Sequence, residues 1–261
     1  MMKFLSLPIA FCAFSLLFAC KVEPAQPKIE LKYETRQFVK RDCVNDQQCA
    51  EYNVFYLLFS GNDTAVVRSV SQGVHTSLVT GLGGNLNLPL EVALDSVGIN
   101  FIEQFIQLKR DFPEQTMNQS IQVTSNVLLN NGRVLTVRED FYLSTGGAHP
   151  NTSSAIMSFS LNEKGRQLSA SDLLKDPTAV LPMLEKAFKK SKGLAESADI
   201  SLLLLTEDKK LPLPANIGIV PEGILFVYTD YEVAAHAIGP TEILLTWTQL
   251  GDLADKSKWV E

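Results

Sequence analysis

The hydrophobic residues of this chain change period partway along it, and that change restricts the fold more than any other feature. Across residues 65–79, Val66, Val67, Val70, Val74 and Leu78 recur at the spacing of one helix face, and Asn62 or Asp63 stands where an N-cap would. The run Gly81-Leu82-Gly83-Gly84-Asn85 breaks the pattern. A second helix is expected next, with Val97, Phe101, Ile102, Phe105 and Leu108 on one face, ending before Pro113. From residue 121 the period becomes two. Ile121, Val123, Val127 and Leu129 alternate with polar residues, and Asn131-Gly132 supplies a hairpin signal. Leu135, Val137, Phe141 and Leu143 then alternate again. Glu139 interrupts this apolar series and marks a bulge, an edge or a polar cleft. A further strand over 155–161, closed by a turn at 162–165, completes an antiparallel meander with one buried face.

Residues 31–40 and 52–59 are rich in aromatic and aliphatic side chains and read as strands. After residue 165 the composition shifts. Residues 169–174 predict a short capped helix. Asp176-Pro177 suits the cap and first turn of another, with Val180, Leu181, Leu184 and Phe188 on its apolar face. Residues 201–205 are apolar without an assignable pattern, and 211–214 form a proline-rich connector. Strands follow at 217–220, 224–229 and 242–247, with a final helical turn or two over 248–254. The expected class is α+β in two linked halves, 31–165 and 166–261, with mainly antiparallel sheet and packed helices.

The N-terminus narrows where such a chain works. Lys3 precedes an apolar run over residues 4–18 that has the length of a signal-peptide core and is too short to span a bilayer. Leu17-Phe18-Ala19-Cys20 resembles a bacterial lipobox, although Phe18 is bulkier than most residues found there. Residues 1–19 are thus expected to be removed, Cys20 to carry lipid, and residues 20–30, with Pro24 and Pro27, to form a tether. Lys21 follows the cysteine, which leans towards the outer membrane, facing the periplasm, if the cell is Gram-negative. Cys43 and Cys49 remain. In an oxidising compartment they read as a small-loop disulfide, and a metal site, the rival reading, needs two further ligands.

The net charge of −6, with no basic cluster, argues against nucleic acid as a partner. No nucleophile elbow, zinc-protease helix, phosphate loop or dinucleotide fingerprint is present, so no cofactor or metal is expected. Two loops carry the residue types that chemistry uses. In Ser144-Thr145-Gly146-Gly147-Ala148-His149-Pro150-Asn151, the paired glycines can turn their amides into an anion-binding concavity. His149 could act there as base or ligand, and the plain alternative is a shaped turn. The stretch from Tyr228 to Pro240 holds Asp230, Tyr231, Glu232 and His236 and could join His149 in an acid/base pair or a metal site; the plain alternative is a packed loop. Candidates for ligand binding are Gly146, Gly147, His149 and Tyr231, and for catalysis His149, His236, Asp230 and Glu232. His75 is given no role.

These loops also carry a likeness. Thr145-Gly146-Gly147-Ala148-His149, followed by the segment 167–174, resembles a domain-of-unknown-function family of bacterial envelope proteins. Leu225-Phe226-Val227-Tyr228, then Tyr231-Glu232-Val233-Ala234, Gly239-Pro240 and the strand ending near Trp247, look like the second half of the same arrangement. Related domains form the outer part of a lysozyme-sensing anti-sigma factor and precede the catalytic domain in some peptidoglycan deacetylases. The resemblance implies an α+β fold in two halves, with no accepted catalytic set. The expected function is a lipid-anchored envelope binding module recognising peptidoglycan or a wall-degrading protein such as lysozyme. The alternative is an envelope hydrolase or metal-dependent enzyme using His149 and His236. Partner identity and oligomeric state stay open.

Overall fold

The computed structural model describes residues 29–147 and 149–260. The expected signal sequence, Cys20, the tether up to residue 28, and Ala148 lie outside the described residues. Among the described residues, no helix is long and apolar enough to cross a membrane.

The first part of the chain builds strands β1 (Leu31–Asn45) and β2 (Gln48–Gly61), helices α1 (Thr64–Gly81) and α2 (Leu90–Asp111), and strands β3 (Gln119–Asn130), β4 (Val134–Ser144), β5 (Asn151–Ser160) and β6 (Arg166–Gln167). Its six strands lie in one sheet in chain order. All neighbours are antiparallel except β2 and β3, which run parallel. A parallel pair needs a crossover, and the two helices provide it. Asp63 caps α1, its Oδ1 accepting from the Ala65 and Val66 amides at 2.9 and 3.1 Å. Cys43 and Cys49 are joined by a disulfide near the tip of the β1–β2 hairpin.

Both helices lie on one face of this sheet. Leu94, Phe101 and Phe105 of α2 pack with Tyr52, Val54, Ile121, Val123 and Phe141. Val66, Val70 and Val74 of α1 pack with Leu57, Val137, Met157 and Phe159. Glu139 points into this layer and is neither a bulge nor an edge. It is fully buried, with Ser77 Oγ of α1 donating to Oε2 at 2.6 Å and Ser125 Oγ to Oε1 at 3.5 Å. Burial pushes its carboxyl up to about 7, the two serine bonds opposing the rise.

The rest of the chain forms α3 (Ala170–Leu173), α4 (Leu181–Ser191), strands β7 (Asn216–Val220), β8 (Gly223–Tyr228) and β9 (Thr241–Thr246), α5 (Trp247–Leu250) and α6 (Lys256–Trp259). The three strands make a separate antiparallel sheet. Its core of Leu184, Phe188, Ile219, Phe226 and Trp259 also takes in Leu129 and Val134 from the first half. The two sheets are stitched at β5 and β7, where the Ile156 amide donates to Asn216 Oδ1 and the Ile219 amide to Ser158 Oγ, both at 3.1 Å.

Several local details differ from the sequence reading. In the β3–β4 hairpin the Asn131 amide bonds the Val134 carbonyl, so the loop is Gly132-Arg133 and Asn131 precedes it. Asn131 Oδ1 accepts from the Arg133 and Val134 amides, and Gly132 takes a φ of 85°, so the same residues are used one position along. A register shift between Val127 and Leu129 accompanies it. Asp176 caps a turn, accepting from the Thr178 and Ala179 amides, and α4 begins only at Leu181 with Pro182 in its first turn. Residues 201–205 form turns ending in a single bridge between Leu204 and Ala234.

Candidate functional site

Alternation along β3, β4 and β5 sends every second side chain away from the helices. The register sets these side chains in cross-strand rows: Gln122–Tyr142–Thr152, Thr124–Asp140–Ser154 and Asn126–Arg138–Ile156. The β7–β9 sheet covers Ile156 and the positions beyond it, because β7 reaches only that far along β5. The first two rows are left open and floor a cleft of about 320 Å³. Val227, Thr229, Asp230, Pro240 and Glu242 form its opposite wall.

Arg138 spans floor and wall. Its Nε donates to both Asp140 oxygens at 2.8 and 2.9 Å, and one terminal nitrogen donates to Glu242 Oε1 at 2.6 Å. Glu242 and Asp140 together hold the guanidinium above its ordinary range despite partial burial. Ser154 Oγ donates to Asp140 Oδ1 at 2.6 Å. The one cation of the cleft lining is therefore occupied by two carboxylates. Hydroxyl and amide groups of Gln122, Thr124, Tyr142 and Thr229 make up much of the remaining polar lining.

The two loops singled out in the sequence meet at one rim. Gln119 Nε2 donates to the Thr145 carbonyl at 2.8 Å and shapes the first loop. Gly146 needs its missing side chain, since its φ is +96° and a Cβ would lie 3.3 Å from Gln119 Nε2. Gly147 is exposed beside it. The His149 ring stacks on His236 at 4.0 Å with 8° between planes. Tyr231, at a φ of 64°, lies 5.6 Å from His236, and its hydroxyl sits 3.4 Å from His149 Nε2. Asp230 has a side chain only 5% exposed, with Oδ2 3.5 Å from His236 Nδ1. Thr152 Oγ1 donates to the same Oδ2 from the cleft floor. Asp230 Oδ1 has no hydrogen-bond partner among the described residues. Lys192, following α4, ties down the second loop by donating to the Ile238 and Pro240 carbonyls at 2.8 and 3.1 Å, and burial lowers its ammonium pKa.

His149, His236, Asp230 and Tyr231 are thus brought together, while Glu232 is used otherwise. Its Oε1 accepts from the Ala215 amide and its Oε2 from the Thr229 amide, both at 2.8 Å, so it closes the base of its loop. The imidazoles lie nearly parallel, so their in-plane lone pairs run side by side and do not converge. Among the described residues, no group of three or more His, Cys, Asp or Glu side chains is placed to hold a metal. Neither histidine is hydrogen-bonded to a serine or cysteine among the described residues. The rows on the cleft floor were missed in the sequence. Their signal is the run Arg138-Glu139-Asp140 inside an otherwise apolar strand, whose two outer residues face the cleft and whose middle one faces α1.

Residues 171–248 match the model of a family described as a protein of unknown function, DUF3298. That segment includes the second loop and the wall of the cleft. A DUF3298 family member from Bacteroides fragilis NCTC 9343 superposes with a TM-score of 0.69 at 15% identity, covering 87% of this chain and 95% of that one. A DUF3298 family protein from Pseudomonas aeruginosa PAO1 superposes with a TM-score of 0.58 at 15% identity, covering 89% of this chain and 97% of that one. At such identity the likeness is one of fold. No curated protein matches the chain.

Proposed function

We propose that the chain is a lipid-anchored binding module of the bacterial cell envelope whose cleft takes a saccharide segment of the wall. One observation carries this reading: an open sheet face presents hydroxyl and amide side chains in register, with the ring of Tyr142 among them. A sugar offers adjacent hydroxyls that pair with such groups and an apolar ring face that lies against an aromatic. The occupied state of Arg138 disfavours a simple phosphate ligand, which would compete with two carboxylates already in place. The anchor rests on the lipobox, and its test is direct: labelling with radioactive palmitate is expected in the parent and absent in Cys20→Ala.

Calorimetric titration of the purified protein with soluble peptidoglycan fragments, and separately with lysozyme, tests the ligand. Binding of the fragments is expected, weakened about tenfold or more by Tyr142→Ala. No heat with the fragments, or unchanged affinity in Tyr142→Ala, would overturn the saccharide reading. Binding of lysozyme alone would point to a wall-degrading protein as the partner.

A second reading is kept because His149, His236, Asp230 and Tyr231 share one rim of the cleft. As a hydrolase the protein would release new products from the same fragments, seen by mass spectrometry, and His236→Ala would abolish them. The two histidines lack a hydrogen-bonded nucleophile, so this reading would need an activated water.

A further inference from the structure

We propose that two copies of this chain pair through strand β1, edge to edge and antiparallel about Gln37, joining their six-stranded sheets into one. This surface is separate from the cleft. Strand β1 is an outer strand of its sheet, and among the described residues it pairs only with β2 over its length. It runs from Leu31 to Asn45 with no proline and no register shift before Cys43. The Asn62 amide donates to the Glu30 carbonyl at 3.2 Å, and the register continues unbroken from there. Even-numbered residues of β1 therefore bond β2, and the amides and carbonyls of Tyr33, Thr35, Gln37, Val39 and Arg41 face the free edge. An exposed edge of this length is a template for another strand.

Two further observations say which strand. First, the edge is complementary to itself. Antiparallel pairing about Gln37 sets Lys32 opposite Asp42 and Tyr33 opposite Arg41, and it sets Glu34, bridged to Arg36 within the chain, opposite Lys40, bridged to Asp95; each pair occurs twice by the two-fold symmetry. Charges that merely guard an edge have no need of this order. Second, the flank of α2 beside β1 carries an apolar stripe that is exposed at Val92 and Ile99 and runs on to Ile106, which is partly buried against the core. Val92, Ile99 and Ile106 recur every seven residues, and Val92 and Ile99 are 50% and 40% exposed. The stripe lies on the β1 side, because Asp95 on that flank bridges Lys40 at 2.8 Å, and Asp42 lines one hollow with Ile102 and Ile106. Pairing of the edges brings this stripe against its symmetry mate, as in a helix seam.

Analytical ultracentrifugation of the purified protein is the test. The parent is expected to sediment as a dimer at micromolar concentration. Val39→Pro removes an amide that faces the free edge and takes no bond from β2, so it should give a folded monomer, with circular dichroism reporting the fold. Lys32→Asp should raise the dissociation constant severalfold by setting like charges opposite Asp42, and the double variant Lys32→Asp/Asp42→Lys should restore it. Gln37→Cys should cross-link to its own copy under mild oxidation, where the parent does not. A parent that is monomeric throughout would overturn the proposal. So would a dimer that survives Val39→Pro, ignores the charge swap, or fails to cross-link through residue 37, since it would then use another face or another partner.

Discussion

Gly218→Val is expected to part the two sheets and to destabilise the protein by about 3 to 5 kcal/mol, the cost of overpacking plus a buried amide left without its partner. A Cβ on Gly218 would lie 2.3 Å from Ile156 Cγ2 and 3.1 Å from Thr136 Cγ2. Both neighbours are held: Ile156 is buried in β5, and Thr136 Oγ1 is paired with Ser158 Oγ at 2.8 Å. The strand carrying Gly218 must therefore lift, and the Ile219 amide loses Ser158 Oγ. Because the cleft lies between these sheets, affinity for its ligand should fall with stability. Urea unfolding followed by fluorescence and by circular dichroism reads the effect. A variant within about 1 kcal/mol of the parent, still binding, would show that the sheets are not locked at this point.

Glu139→Gln is expected to stabilise the protein at pH 8 and to leave it unchanged near pH 4. The folded carboxyl releases its proton at about 7, against 4.5 for the unperturbed group. Between those values the folded chain binds the extra proton. The contribution of Glu139 is therefore fully present below about 4.5 and is lost as pH rises through about 7, a loss of roughly 3 kcal/mol at most by linkage. Glutamine keeps an oxygen for Ser77 and offers an amide to Ser125 without a charge to bury. His75 acts in the opposite sense nearby. Burial lowers its pKa, so its contribution grows as pH rises through the ordinary histidine range, and it is common to both chains. Asp172, Asp176, Asp199 and Asp255, whose pKa values are lowered by hydrogen bonds, lose stability only at more acid pH. The difference between the two stability curves thus isolates Glu139, and parallel curves would refute the assignment.

What was legible in the chain was local. The faces of α1 and α2 follow from apolar spacing, and Asp63 stands where the cap is needed. The partners of Glu139 were not legible, because Ser77 lies a crossover away and nothing in the spacing links them. The parallel pairing of β2 with β3 is likewise a consequence of two helices packing together before the chain returns. On β4, Arg138, Asp140 and Tyr142 read as the solvent half of an alternation. They became a cleft only because Val227 and Glu242, a long way down the chain, fold over them. Tyr231 and His149 were legible as loop residues of the right type, but their meeting depends on the whole second sheet.

The length of the β1–β2 ladder has a mechanical consequence. Leu31 lies opposite Gly61 at one end of the hairpin, and Cys43 is bonded to Cys49 near the other. With Cys20 as the anchor proposed above, tension between membrane and wall would enter the domain at Leu31. It would pass along β1 to the strands that floor the cleft. Where that pull runs along β1, the backbone bonds between β1 and β2 would be loaded together in shear and would not open one by one. The long ladder next to the tether would then take such a load before the strands of the cleft.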